Sequence, residues 1–169
     1  MHFPRKLGIP TAAVAFALVA AACGSPHGYS AAGAGSNDGG AMAAATSAPS
    51  TSIALANGKF GRMLVDPAGR TLYLFEADKG TTSTCYDACA QAWPPLLTSQ
   101  APTGGPGVVA GDLSTTTRKD GKSQVTYNGH PLYYYVVDIK PGDINGQNLN
   151  QFGAKWYVLD PNGNKIDNG

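Results

Sequence analysis

The sequence predicts a mainly β domain, an antiparallel sandwich or partly open barrel built from two pseudo-repeated hairpin units, with one short helix near residues 84–93. Three observations carry this. Turn signals containing Gly, Pro or Asn recur throughout residues 53–169. The segments between them are aromatic and β-branched, as pleated, half-buried surfaces favour. One segment alone departs from that pattern, and it has the marks of a helix.

Two stretches of different composition precede the domain. Residues 1–22 read as an export signal: Arg5 and Lys6 form a positive start, and Leu7 to Ala22 carries no charge. That run is shorter than the roughly 20 apolar residues of a spanning helix, and Pro10 interrupts it. Ala20-Ala21-Ala22-Cys23-Gly24 resembles the lipobox of bacterial lipoproteins, with Ala20 where the family prefers Leu. The resemblance implies a lipidated Cys23 as mature N-terminus. Read as an ordinary signal-peptidase site, the same small residues would give a soluble secreted protein. From Gly24 to Ser52, 24 of 29 residues are Ala, Gly, Ser, Thr or Pro. Such a run has no apolar surface to offset its ordering entropy, so residues 23–52 are expected to be a lipid-bearing, disordered tether of roughly 30 Å. His27 and Met42 within it are isolated and are not taken as metal ligands.

The remaining residues, 53–169, hold 12 of the 15 aromatics and form a single domain with balanced charge. Asp66-Pro67-Ala68-Gly69 is a turn that makes a hairpin of Arg62–Val65 and Thr71–Phe75. Thr84-Cys85-Tyr86-Asp87 has the form of a capping box, and Pro94-Pro95 ends the run, which predicts a helix over Thr84–Trp93. Asp120-Gly121 marks another turn. Asn128-Gly129 joins Gln124–Tyr127 to a strand over Leu132–Val137, with His130-Pro131 lengthening the loop. Asp160-Pro161-Asn162-Gly163 repeats the first turn after Lys155–Leu159.

Leu72-Tyr73-Leu74-Phe75-Glu76-Ala77-Asp78 aligns with Leu132-Tyr133-Tyr134-Tyr135-Val136-Val137-Asp138, sixty residues later. With Tyr73/Phe75/Asp78 and Tyr133/Tyr135/Asp138 as two copies of a Y-x-[FWY]-x-x-D motif, the chain resembles bacterial lipoproteins of the "secreted repeat of unknown function" family. The stretches Cys85…Cys89…Trp93-Pro94-Pro95-Leu96 and Gly142…Asn145-Gly146…Phe152-Gly153-Ala154-Lys155-Trp156-Tyr157 are similar to that family too. The resemblance covers essentially the whole domain. It implies an envelope lipoprotein and no reaction.

On a strand, positions i and i+2 share a face, so Tyr73 and Phe75 line one side and Leu72 and Leu74 the other; Tyr133 and Tyr135 repeat the arrangement. The aspartates are expected to close their strands by accepting backbone N–H bonds. The leading expectation for the motif is an aromatic core with turn caps; the alternative is a ligand-reading aromatic surface. Three consecutive tyrosines place rings on both faces, which makes Tyr134 the focus of a binding site, together with Tyr157 beside Trp156. In an oxidising compartment Cys85 and Cys89 are expected to pair, although helical i,i+4 spacing is wide for a disulfide. Reduced, Cys85 at a helix start would be a redox or metal-binding thiol.

The chain has 12 Lys+Arg against 11 Asp+Glu, which excludes nucleic-acid binding by bulk charge. No nucleophile elbow, zincin motif or phosphate loop is present, and His130 is the one histidine of the domain. Asp143–Asn148 lacks the spacing of a calcium loop and reads as a polar turn. The sequence thus points to a monomeric, membrane-anchored, extracytoplasmic module without catalytic residues, metal or cofactor. It would bind an envelope ligand or protein partner, or support envelope structure. The alternative function is redox or metal handling through Cys85 and Cys89.

Overall fold

The computed structural model describes residues 50–167; the export signal, Cys23 and nearly all of the expected tether lie outside the described residues. The elements run β1 (Ser52–Gly58), β2 (Gly61–Val65), β3 (Tyr73–Phe75), α1 (Ala88–Ala92), β4 (Thr103–Gly104), β5 (Leu113–Thr117), β6 (Ser123–Tyr127), β7 (His130–Pro131), β8 (Asn150–Gln151) and β9 (Ala154–Val158). They form three small sheets, ordered β2-β1-β4, β3-β9-β8 and β5-β6-β7. Every pairing is antiparallel except β1 with β4. Among the described residues the architecture is mainly β and sandwich-like, with one short helix and no closed barrel.

Alternation of side chains through the strands divides the core in two. Tyr73, Phe75, Tyr133, Trp156 and Val158 join one cluster, whereas Leu72, Leu74, Leu132, Tyr157 and Leu159 join the other. β3 is therefore buried on both faces.

Several local expectations are corrected. β2 takes β1 as its main partner, from Ala54↔Val65 to Gly58↔Gly61. The expected hairpin of Arg62–Val65 with Thr71–Phe75 survives only as a Val65–Thr71 bridge and a Leu72 N–H bond to Leu64. β3 is drawn instead to β9, where Phe75 opposes Trp156, because that pairing buries both large rings. Ahead of this sheet, the Thr51 hydroxyl donates to the Leu97 carbonyl at 3.1 Å, and Ser52 opens β1. His130-Pro131 does not lengthen the loop after Asn128-Gly129. Tyr127 pairs directly with His130, leaving a two-residue turn with φ of 46° and 81°. Positive φ at both central positions is what such a turn requires.

The strand expected over Leu132–Val137 ends early, and Val136 and Val137 stand half-exposed in a turn. The helix is shorter than Thr84–Trp93. Asp87, at φ 50°, occupies the cap position without a side-chain cap bond, and the Thr84 hydroxyl donates to Asp78 instead. A capping box requires Thr84 next to the first helical turn, and here the intervening residues are irregular. Pro94 still ends the helix, right after the Trp93 N–H closes on the Cys89 carbonyl at 2.7 Å.

Candidate functional site

The site grows from the meeting of the two repeats. Tyr73 and Tyr133 face each other and exchange both backbone bonds, at 2.9 and 3.0 Å. From this point their side chains cross. The Tyr73 hydroxyl donates to Asp138 Oδ2 at 2.5 Å, and the Tyr133 hydroxyl donates to Asp78 Oδ2 at 2.7 Å. Each tyrosine is thus satisfied by the aspartate of the other repeat, as a local two-fold axis between the tyrosines demands. Burial pushes both phenols well above their ordinary range, and the neighbouring carboxylates add to the shift. The neutral, hydrogen-bonded phenol is the form the fold selects.

Each aspartate also holds the loop that follows it. Asp78 Oδ1 accepts the Thr84 N–H at 2.7 Å and the Thr84 hydroxyl at 2.8 Å. Asp138 Oδ1 accepts the Asn145 N–H at 2.9 Å and its side-chain amide at 3.1 Å. The expected turn cap is therefore half of each carboxylate's work; the other half reaches across the repeats.

The rings obey the same symmetry. Phe75, Trp156, Trp93 and Tyr135 stack in that order, with centroids 4.0, 3.9 and 4.1 Å apart. Tyr73 meets Trp93 edge-on at 5.3 Å, and Tyr133 meets Trp156 edge-on at 5.2 Å. Gln151 serves both indoles: its side-chain oxygen accepts from Trp93 and its carbonyl from Trp156. Gly146 lets the backbone close over this stack. A Cβ there would stand 2.6 Å from the Trp93 ring and 2.9 Å from Tyr73.

The second repeat sends a buried cation to the Asp78 side. Arg118, 4% exposed, donates to Ser83 Oγ and Gln124 Oε1, both at 2.7 Å, and to the Cys85 carbonyl at 2.8 Å. Ser83 Oγ lies 2.8 Å from the Tyr133 hydroxyl, so a chain of hydrogen bonds runs from Arg118 to Asp78. Burial pushes the Asp78 carboxyl up; bonds from Tyr133 and Thr84 and the charge of Arg118 oppose that shift. Cys85 and Cys89 are joined with Cα atoms 5.2 Å apart, within the ordinary disulfide range. Cys85 precedes the first helical residue, which removes the i,i+4 difficulty. Both cysteines are buried and belong to the same core cluster as the stacked rings.

Two clefts open beside the crossed pairs, one for each repeat. The first, of about 250 Å³, is lined by Arg70, Thr71, Pro94, Tyr134, Tyr135, Val136 and Asp138. The second, of about 570 Å³, is lined by Leu74, Phe75, Glu76, Asp78, His130, Asn164 and Lys165. They correspond position by position: Arg70 to His130, Tyr134 to Leu74, Tyr135 to Phe75, Val136 to Glu76 and Asp138 to Asp78.

In the first cleft, Arg70 lies over the Tyr134 ring at 4.1 Å, donates to its hydroxyl at 3.1 Å and pairs with Asp66 at 2.7 Å. Burial and the Asp66 charge push the Tyr134 phenol up. In the second, Lys165 pairs with Glu76 at 2.6 Å, and burial lowers the His130 imidazole against the opposing charge of Asp78.

The expected site residues thus fall into two groups. Tyr73, Phe75, Tyr133, Tyr135 and Trp156 converge on the ring stack, with Asp78 and Asp138 locking it. Tyr157 is 2% exposed and donates to Asn148, so it belongs to the core; Tyr134 reaches a cleft. Sequence reasoning did not single out Arg70, Arg118, Gln151 or Gly146 for these roles. Arg70 alone left a signal, as the cation directly behind the Asp66–Gly69 turn.

The family model for a secreted repeat of unknown function matches residues 54–97 and again 114–160, together more than half of the chain. Each match contains one tyrosine and one aspartate of the crossed pairs. No curated protein and no solved structure matches the chain.

Proposed function

The chain belongs to the family of secreted repeats of unknown function, and we propose that it is a lipid-anchored extracytoplasmic module that acts by binding, not by catalysis. In this reading residues 1–22 direct export, Cys23 carries the lipid on the outer face of the cell membrane, and the tether holds the domain away from the bilayer. The observation that carries the binding reading is the crossed pair of bonds, Tyr73 to Asp138 and Tyr133 to Asp78. The repeated residues are engaged with one another, so they build a rigid body. Recognition is left to rim residues that differ between the repeats, with Tyr134 against Leu74 the clearest case.

Anchoring is tested by feeding cells an alkyne fatty acid and fractionating them. Wild-type protein should take the label and sediment with membranes, and Cys23→Ser should lose the label and leave the membrane fraction. Unlabelled, soluble wild-type protein would overturn the anchor. Redox or metal handling through Cys85 and Cys89 finds little support in two buried sulfurs bonded to each other.

A further inference from the structure

We propose that the cleft between Arg70 and Tyr135 binds a neutral saccharide unit. At about 250 Å³ it is smaller than the pockets of drug-sized ligands, which start at about 300 Å³, and it suits a single ring with a short extension. Tyr135 is the end ring of the four-ring stack. Trp93 covers one of its faces and fixes the ring. A ring held in this way is a platform for the C–H face of a sugar, and it loses little side-chain entropy on binding. Pro94 and Val136 add apolar wall.

The polar groups around that platform are mixed in kind. The Tyr135 hydroxyl and Arg70 Nη1 have no hydrogen-bond partner among the described residues. Asp138 Oδ2 accepts one bond, from Tyr73, and keeps a lone pair for a hydroxyl donor. The arrangement therefore offers donors and an acceptor around one apolar face, which is the pattern a sugar presents in reverse.

Charge selects a neutral ligand over an anionic one, and the ethylammonium arm of the test below decides against a cation. Asp66 already neutralises Arg70, and Asp138 adds a carboxylate to the lining, which disfavours an anion. The second cleft has the same frame but lacks these features. Phe75 carries no hydroxyl, Leu74 replaces Tyr134, and the Lys165–Glu76 ion pair takes the polar positions. It serves as an internal control.

The proposal rests on the reading of the domain as a binding module, and the two can fail separately. Full-length protein in detergent is titrated by NMR with maltose, mannobiose and N,N′-diacetylchitobiose, and in parallel with acetate and ethylammonium. At least one disaccharide should shift resonances of Arg70, Tyr135 and Val136 and leave His130 unmoved. Tyr135→Leu should weaken binding about tenfold. Val136→Trp, a rim change that leaves the stack intact, should abolish binding, and His130→Ala should not alter it. Shifts at this cleft with acetate or ethylammonium alone overturn the saccharide but leave the binding module standing. Silence with every probe, or shifts at the second cleft only, overturns the proposal.

Discussion

Asp78 in the first repeat lies beside a network that ends on a buried arginine, whereas Asp138 in the second is held by an asparagine and a glycine-containing loop. The two aspartates nonetheless do the same two things, accepting the opposite tyrosine and capping their own following loop. What is shared is the frame around the local axis: tyrosine pair, indole pair and capped loops. What differs is the support behind it and the rim in front. The comparison teaches that the two repeats share their interior and differ at their surface. One cleft is small and aromatic, the other wide and charged.

The comparison can be broken at several levels. If the indoles are equivalent, Trp93→Ala and Trp156→Ala should each cost about 4 kcal/mol in denaturant unfolding, because both are fully buried in the same stack. Losses that differ by more than half would refute equivalence. The asymmetry of support should appear next. Arg118→Ala strands Ser83, Gln124 and the Cys85 carbonyl and should cost about 3 kcal/mol, against about 1 kcal/mol for Asn145→Ala. Equal costs would show that the arginine supports the Asp78 side no more than Asn145 supports the Asp138 side.

Double-mutant cycles address the crossing itself. Tyr73→Phe with Asp138→Asn, and Tyr133→Phe with Asp78→Asn, should each show a coupling of about 1.5 kcal/mol. The within-repeat combinations, Tyr73 with Asp78 and Tyr133 with Asp138, should add to within about 0.5 kcal/mol. Coupling within the repeats instead would dismantle the crossed arrangement.

Alkaline titration probes the phenols themselves. Tyr73, Tyr133 and Tyr134 all titrate above the ordinary value of 10.0 in the folded chain. The folded state therefore keeps protons that the unfolded state releases. Their contribution is complete below pH 10 and declines above it, by about 1.4 kcal/mol per pH unit for each phenol. Phenolate absorbance should rise with loss of near-UV circular dichroism for these three. Early, reversible ionisation in the native state would show that the rings are wetter than their burial implies.

Much of the frame was legible in order along the chain. The two aromatic copies, the turns at Asp66–Gly69 and Asp160–Gly163, and the split of Tyr73/Phe75 from Leu72/Leu74 all follow from local chemistry: a side-chain period of two, and Gly or Pro where φ demands them. The helix was legible in existence but not in length, because a capping box is a statement about spacing and Asp78 offered Thr84 a better partner. Strand pairing was less legible. Arg62–Val65 could read as the partner of Thr71–Phe75 across a good turn, yet β2 pairs with β1 and β3 with β9, segments distant from that turn in the sequence.

The sequence by itself determined that this protein has two copies of one β unit, with a tyrosine and an aspartate at matching places, and a pair of cysteines at one helix. Only the tertiary structure decided that the tyrosine of one copy belongs to the aspartate of the other. A local pattern records which groups must find partners, but partner choice across sixty residues depends on a shared axis, and that axis exists only once Tyr73 and Tyr133 are paired.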